Sequence, residues 1–199
     1  MTRALRRALA ASLVSLALPV ALSAQAQQAA APAASPGPAV GDMAPDFAVP
    51  GATREGVKST PVKLSDYRGK TVVLAFFPAA RTSGCTVQMQ AYRDRYQELF
   101  NGGKDVVVIG VSADADTTLA SWAKESNFPM TFASDSALQV GALYGSKRPT
   151  GKYLARNLFV VGPDGRITHK ITPFNVMSQD AYAELGKAVK GGAGAHSGH

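Results

Sequence analysis

The chain has 199 residues, 46% hydrophobic and 18% charged, with a formal charge of +7 and one cysteine. That composition excludes collagen-like and wholly disordered classes and suits one main domain with a sizeable core plus extensions. A lone cysteine excludes an internal disulfide and any metal site built from several thiolates.

The first 26 residues read as a cleavable secretory signal. Arg3, Arg6 and Arg7 give a positive start, an apolar run follows from Ala8 to Leu22, and Ala24-Gln25-Ala26 supplies the small residues of a cleavage site. The run is short for a membrane span, which needs about 20 residues, and Pro19 interrupts it. Arg6-Arg7 matches a twin-arginine signal only weakly. A lipoprotein anchor is excluded, because it needs a cysteine at the cleavage site and the only one is Cys85. Such a signal implies an exported, periplasmic protein. Losing residues 1–26 removes three of the 21 basic residues and none of the 14 acidic ones, which leaves +4. No basic run is interleaved with aromatics, so no nucleic-acid partner is expected, and the mild charge reads as a solubility feature.

Residues 27–40 are rich in Ala, Pro and Gln and read as a flexible leader. A body from Gly41 to Lys190 follows, and the Gly-rich segment 191–199 reads as a disordered tail. Within the body, Thr71–Phe77 and Asp105–Val111 are continuous apolar runs, as expected of strands buried on both faces. Leu158–Val161 is a third strand. The turn Gly162-Pro163-Asp164-Gly165 and the alternating segment Arg166–Ile171 complete a hairpin. Helices are predicted from Ser83 to a stop at Asn101-Gly102-Gly103, over Asp116–Ser126, over a shorter Ser136–Tyr144, and over Ser178–Lys190. This order predicts an α/β fold with a central mixed sheet flanked by helices, and it agrees with a thioredoxin-like arrangement.

The chemistry concentrates around Cys85. Pro78 ends the strand before it, because proline cannot donate to a ladder. Ser83 or Thr82 then caps a helix beginning at Gly84, so Cys85 lies in the first turn. Free backbone N–H groups and the positive end of the helix favour a thiolate there, and the thiolate is the nucleophilic form of cysteine. Cys85, Met89, Tyr92, Tyr96 and Leu99 share one helix face, which turns the sulfur towards the core. Two readings stay open from the residues alone: a shielded reactive thiolate and a buried inert cysteine.

Several motifs then appear in the same order as in a known family. Pro78-x-x-x-Thr82-x-x-Cys85 resembles the peroxidatic motif of the peroxiredoxins, and Gly41-Asp42-Met43-Ala44-Pro45-Asp46-Phe47 resembles the segment that opens their domain. Phe77-Pro78, Gly84-Cys85-Thr86 and Tyr92-Arg93-Asp94 are similar to the bacterioferritin-comigratory subgroup. Ser134-Asp135 and Pro163-Asp164-Gly165 sit where that subgroup has similar residues, and Arg156 matches the family's active-site arginine. The resemblance covers nearly all of residues 41–190. It implies a thioredoxin-like fold and a hydroperoxide substrate, attacked by Cys85 to give a sulfenic acid. It also implies that Thr82 and the Cys85 backbone N–H bind the peroxide, that Arg156 stabilises charge on its oxygens, and that Pro78 shapes and shields the pocket.

One departure matters. Many members of the subgroup carry a resolving cysteine five residues after the first, and Gln90 stands there. Regeneration therefore requires an external thiol reductant or an intermolecular disulfide. Ser83 replaces a frequent proline, a change expected to be tolerated. No cofactor is implied, since neither a Walker-type nor a dinucleotide-binding glycine loop is present. His169 reads as a structural histidine of a strand, Trp122 as core, Arg81 as either a loop cation or a source of positive potential for Cys85, and His196 and His199 as part of a solvated tail. The competing classes are an exported thiol–disulfide oxidoreductase, disfavoured because Thr82 stands where Cys-x-x-Cys needs a cysteine, and a non-catalytic or sensor redoxin domain. Either a monomer or a homodimer fits the resemblance.

Overall fold

A computed structural model describes residues 37–194; the expected signal, most of the leader, and residues 195–199 with both tail histidines lie outside the described residues. The strands are β1 (Ala48–Val49), β2 (Gly51–Thr53), β3 (Gly56–Val57), β4 (Val62–Lys63), β5 (Thr71–Phe76), β6 (Val106–Ser112), β7 (Thr131–Ser134), β8 (Leu158–Val161) and β9 (Ile167–Ile171). The helices are α1 (Ser83–Asp94), α2 (Tyr96–Phe100), α3 (Asp116–Glu125), α4 (Gln139–Leu143) and α5 (Gln179–Gly194).

Seven strands form a mixed sheet in the order β3-β2-β7-β6-β5-β8-β9, while β1 and β4 pair separately. The two longest apolar runs of the sequence, β5 and β6, lie parallel at its centre, with Val73 opposite Val108. Every residue of β5 is buried, as a strand covered on both faces requires. Two consecutive crossovers, β5–α1–α2–β6 and β6–α3–β7, step across the sheet in the same direction. Right-handed crossover connections therefore lay α1, α2 and α3 on one face. Successive side chains of a strand point to opposite faces. Val73, Ala75 and Phe77 accordingly join a core with Cys85, Met89, Trp122 and the α5 residues Tyr182 and Leu185. Val72, Leu74 and Phe76 pack on the other side against Phe47, Val140, Tyr144 and Leu154.

β8 runs antiparallel to β5, and this fixes the place of the active end. The start of β8 lies beside the finish of β5, and the Phe76 N–H donates to the Asn157 carbonyl at 2.9 Å. Residues just before β8 are thereby delivered to the loop that follows β5. At the far end of the β8–β9 hairpin, Gly165 has φ +85°, in the left-handed region, and a side chain on it would run into the Arg68 guanidinium. Arg68 lies across that gap and donates to the Asp164 carbonyl at 2.6 Å. Glycine in the Pro163-Asp164-Gly165 turn thus serves both the backbone conformation and a close approach.

The structure departs from the sequence expectations in several places. The helix from Ser83 is interrupted at Arg95, whose φ of −108° is not helical, and α2 resumes at Tyr96. The five-residue face survives the break except at Tyr96, which is half-buried. The helix expected over Ser136–Tyr144 is only α4, because Leu138 has φ +56°. The last helix runs past Lys190 to Gly194, and Gly192 within this extension is buried. The end of the leader is attached to the body. Pro38 is buried and its carbonyl accepts from Lys170 Nζ at 3.2 Å. His169 is exposed rather than a satisfied structural residue, because a register shift between Val160 and Val161 breaks the alternation of the hairpin. β1–β4 and β7 were not anticipated; all are four residues or fewer and offer little periodicity to read.

Candidate active site

The Phe77 N–H still bonds to β6 through the Val111 carbonyl at 3.0 Å. Pro78, half-buried, ends the strand. In the turn that follows, Arg81 adopts φ +62°. Its guanidinium reaches α3 and meets both carboxylate oxygens of Glu125, at 2.7 and 2.8 Å, and Ser121 Oγ at 3.1 Å. Of the two sequence readings for Arg81, the structure selects the loop residue, tied to α3 in an exposed pair.

Thr82 is the N-cap, with extended backbone (φ −73°, ψ 151°), and α1 begins at Ser83, one residue before the expected Gly84. Its hydroxyl does not cap the helix. It donates instead to the Ala79 carbonyl at 2.9 Å, which leaves the oxygen lone pairs free to accept a hydrogen bond. The first helical bond runs from the Thr86 N–H to the Thr82 carbonyl at 2.9 Å. The N–H groups of Ser83, Gly84 and Cys85 therefore precede any helical acceptor, as at every helix start.

Cys85 is 0% exposed and belongs to the core cluster beneath α1. Arg156 Nη2 lies 3.3 Å from Cys85 Sγ, and Arg156 Nη1 donates to Gln88 Oε1 at 2.5 Å. Gln88 Nε2 in turn donates to the Tyr92 hydroxyl at 2.9 Å. Burial pushes that hydroxyl well above its usual range, with the Gln88 hydrogen bond acting in the opposite direction, so it stays protonated. One guanidinium fork thus serves the sulfur and a buried amide at once, a geometry that a lysine cannot reproduce.

Arg156 is itself held from behind. The Phe174 N–H donates to its carbonyl at 2.8 Å, and the Phe174 ring meets Tyr92 and Tyr182 edge-on at 6.2 and 5.2 Å, contacts worth about 0.5–1.5 kcal/mol each beyond burial. A Cβ on Gly84 would lie 3.2 Å from Arg156 Nη2, so the glycine lets the guanidinium cross the first turn of α1.

Of the residues singled out in the sequence, Thr82 and Cys85 share one helical turn, Arg156 reaches the sulfur, and Pro78 stands at the end of β5. Gln90, at the position of a resolving cysteine, is exposed on the outer side of α1. Trp122 is core, against Phe77, Phe128 and Phe132. Sequence reasoning missed Gln88. It stands three residues after Cys85 on the inward face and is 0% exposed; a polar residue on a buried helix face was the available signal. Among the described residues no group of His, Cys, Asp or Glu is arranged to hold a metal ion, and no helix is long and apolar enough to cross a membrane. A cleft of about 530 Å³ lined by Leu99, Lys104, Val106 and Val189 lies where β6 begins, at the opposite end of the sheet.

Comparison with known proteins gives consistent matches. The AhpC/TSA family model matches residues 40–170. Peroxiredoxin Bcp of Escherichia coli (strain K12) is 35% identical over 139 residues, covering 67% of this chain and 85% of that protein. The chloroplastic peroxiredoxin Q of Sedum lineare is 38% identical over 96 residues, 48% of this chain and 50% of that protein. Among solved structures, peroxidoxin BcpB from Mycobacterium tuberculosis matches with a TM-score of 0.65 at 30% identity, covering 76% of this chain and 96% of that one. AhpC of Enterococcus faecalis, at 22% identity and a TM-score of 0.66 over 76% of this chain and 90% of that one, shares the fold.

Proposed function

The chain belongs to the AhpC/TSA family, the peroxiredoxins, and from that membership we propose that it is a single-cysteine peroxidase in which Cys85, Thr82, Arg156 and Pro78 carry out the reduction of a hydroperoxide. The observation that carries this reading is the Arg156 Nη2 to Cys85 Sγ distance of 3.3 Å at the start of a helix. A guanidinium beside the sulfur and the amides of the first helical turn place donors and positive charge where the peroxide oxygens would meet the sulfur.

The Cys85 thiolate attacks one oxygen of the peroxide along the O–O axis. An S–O bond forms and the O–O bond breaks. Sulfur is oxidised by two electrons to the sulfenic acid, and the departing oxygen leaves as water or an alcohol after taking up a proton. Thr82 accepts the hydrogen bond of the peroxide O–H, because its own proton is committed to Ala79. Arg156 and the Cys85 N–H stabilise the negative charge that builds on the oxygens, the role in which preorganised donors contribute most to catalysis. Pro78 shields the sulfenic acid from water.

With no second cysteine in the chain, an external thiol completes the cycle. Its sulfur displaces water from the sulfenic acid to form a mixed disulfide, and a second thiol releases Cys85 and leaves as the disulfide. Export to the periplasm belongs to the same proposal and rests on the pattern of residues 1–26; an intact mass beginning at Gln27 in protein recovered from that compartment supports it, whereas retention of Met1 overturns it.

The test of the chemistry is the second-order rate of Cys85 oxidation by hydrogen peroxide, using reduced protein and free cysteine at the same pH. A rate at least about 100-fold above free cysteine is expected from one or two such donors. A rate near that of free cysteine, with organic hydroperoxides equally slow, overturns the proposal.

A further inference from the structure

We propose that Asp114, a residue outside the family motif around Cys85, is a positioning residue for peroxide reduction that acts through the Ala79–Ala80 peptide on the Thr82 hydroxyl. The inference rests on the peroxidatic reading of Cys85 and Thr82 given above.

The geometry is a chain of hydrogen bonds through a single peptide group. Asp114, half-buried just beyond the end of β6, accepts from the Ala80 N–H at 2.8 Å through Oδ2, and the same oxygen accepts from Ser112 Oγ at 2.8 Å. The Ala80 N–H and the Ala79 carbonyl are the two ends of one planar unit. That carbonyl accepts from Thr82 Oγ1 at 2.9 Å. An anionic acceptor on the N–H end polarises the peptide and makes its carbonyl a stronger acceptor. The Thr82 O–H is then held more firmly, and its oxygen becomes a better acceptor for the proton of an incoming peroxide.

Asp114 is placed for this by its own supports. Ser134 Oγ donates to the Asp114 carbonyl at 2.7 Å, and the Asp135 N–H donates to the Ser112 carbonyl at 2.7 Å. The ends of β6 and β7 therefore hold the carboxylate under the loop. Arg81 pins the next residue of the loop to α3 independently, through Glu125. Loop anchoring as such thus has a second source. The contact at Ala80 is the one that shares a peptide with the Thr82 acceptor.

The experiment is a double-mutant cycle on full-length reduced protein, reading the second-order rate of Cys85 oxidation by hydrogen peroxide alongside its alkylation by iodoacetamide. Asp114→Ala is expected to slow oxidation about tenfold, the scale of one lost hydrogen bond to a charged group. Asp114→Asn, which keeps an acceptor for Ala80 but removes the charge, is expected to lie between it and wild type, and it carries the test should the alanine variant fail to fold. In a Thr82→Val background, either change is expected to alter the oxidation rate less than about twofold, because the group through which Asp114 acts is gone. Alkylation, which needs no acceptor for a peroxide proton, is expected to stay within about twofold of wild type throughout. Equal losses with and without Thr82, or alkylation falling in step with oxidation, overturn the relay alone. A wild-type oxidation rate near that of free cysteine overturns the peroxidatic reading and the relay with it.

Discussion

Cys85→Ser is expected to lose peroxide-reducing turnover by about 10⁴-fold or more, the scale seen when a nucleophile is removed from a site that acts as a unit. Serine is close to cysteine in size, and its hydroxyl would still meet a donor, since Arg156 Nη2 points at the Sγ position. The fold is therefore expected to be retained, with thermal unfolding close to wild type. The loss is chemical. A serine hydroxyl is not ionised in this environment and cannot be oxidised to a sulfenic acid. The measurement is consumption of hydrogen peroxide with dithiothreitol as reductant. Wild-type-like consumption by this variant would move the chemistry away from the only cysteine and sink the mechanism.

Arg156→Ala has the second-largest expected effect, a slowing of Cys85 oxidation by about 10²- to 10³-fold, as for loss of a donor aimed at developing charge. Two contacts disappear together, the one to Sγ and the one to Gln88 Oε1. The Gln88 carbonyl oxygen is then left buried without its donor, so a smaller loss of stability of about 1–3 kcal/mol accompanies the change. Arg156→Lys separates the two effects. An ammonium restores the positive charge near the sulfur but cannot bridge both partners, so partial recovery of the rate is expected. An unchanged oxidation rate in Arg156→Ala removes Arg156 from the catalytic set, whatever its effect on stability.

Gln88 enters this account as a support rather than as a reacting group. It fixes the guanidinium from one side while Phe174 holds the Arg156 carbonyl from the other. A side chain clamped at both ends loses little entropy when peroxide arrives, which is the value of preorganisation at a site of this kind.

Much of the neighbourhood of Cys85 was legible in the linear chain. A continuous β-branched and aromatic run, a proline and then an amphipathic helix specify a strand, a break and a helix start from signals a few residues long. Gly162-Pro163-Asp164-Gly165 likewise announces its hairpin. These features depend on local backbone preference and on side-chain spacing, and both can be read without knowing what lies across the core. The ordered motifs pointed further, to a thioredoxin-like fold and a thiol peroxidase family, and the family and fold matches agree with that reading.

What the linear chain did not carry is which distant segments meet. Arg156 is 71 residues from Cys85 and reaches it only because β8 inserts antiparallel beside β5. Motif resemblance could name it, but no periodicity could place it. The opposite fates of two arginines make the same point. Arg81, four residues from Cys85, turns to Glu125, whereas Arg156 takes the sulfur. Asp114 meets the active-site loop because β5 and β6 finish side by side. Of the short strands, β1 pairs with β4 and β2 with β7 across separations that a window of ten residues cannot see, while β3 closes a tight hairpin on β2. By itself, then, the sequence determined the local strand–loop–helix frame that exposes a cysteine to the positive end of a helix. The tertiary structure decided which cation, which amide and which carboxylate surround it, because strand order and register are settled by long-range burial and pairing rather than by local propensity.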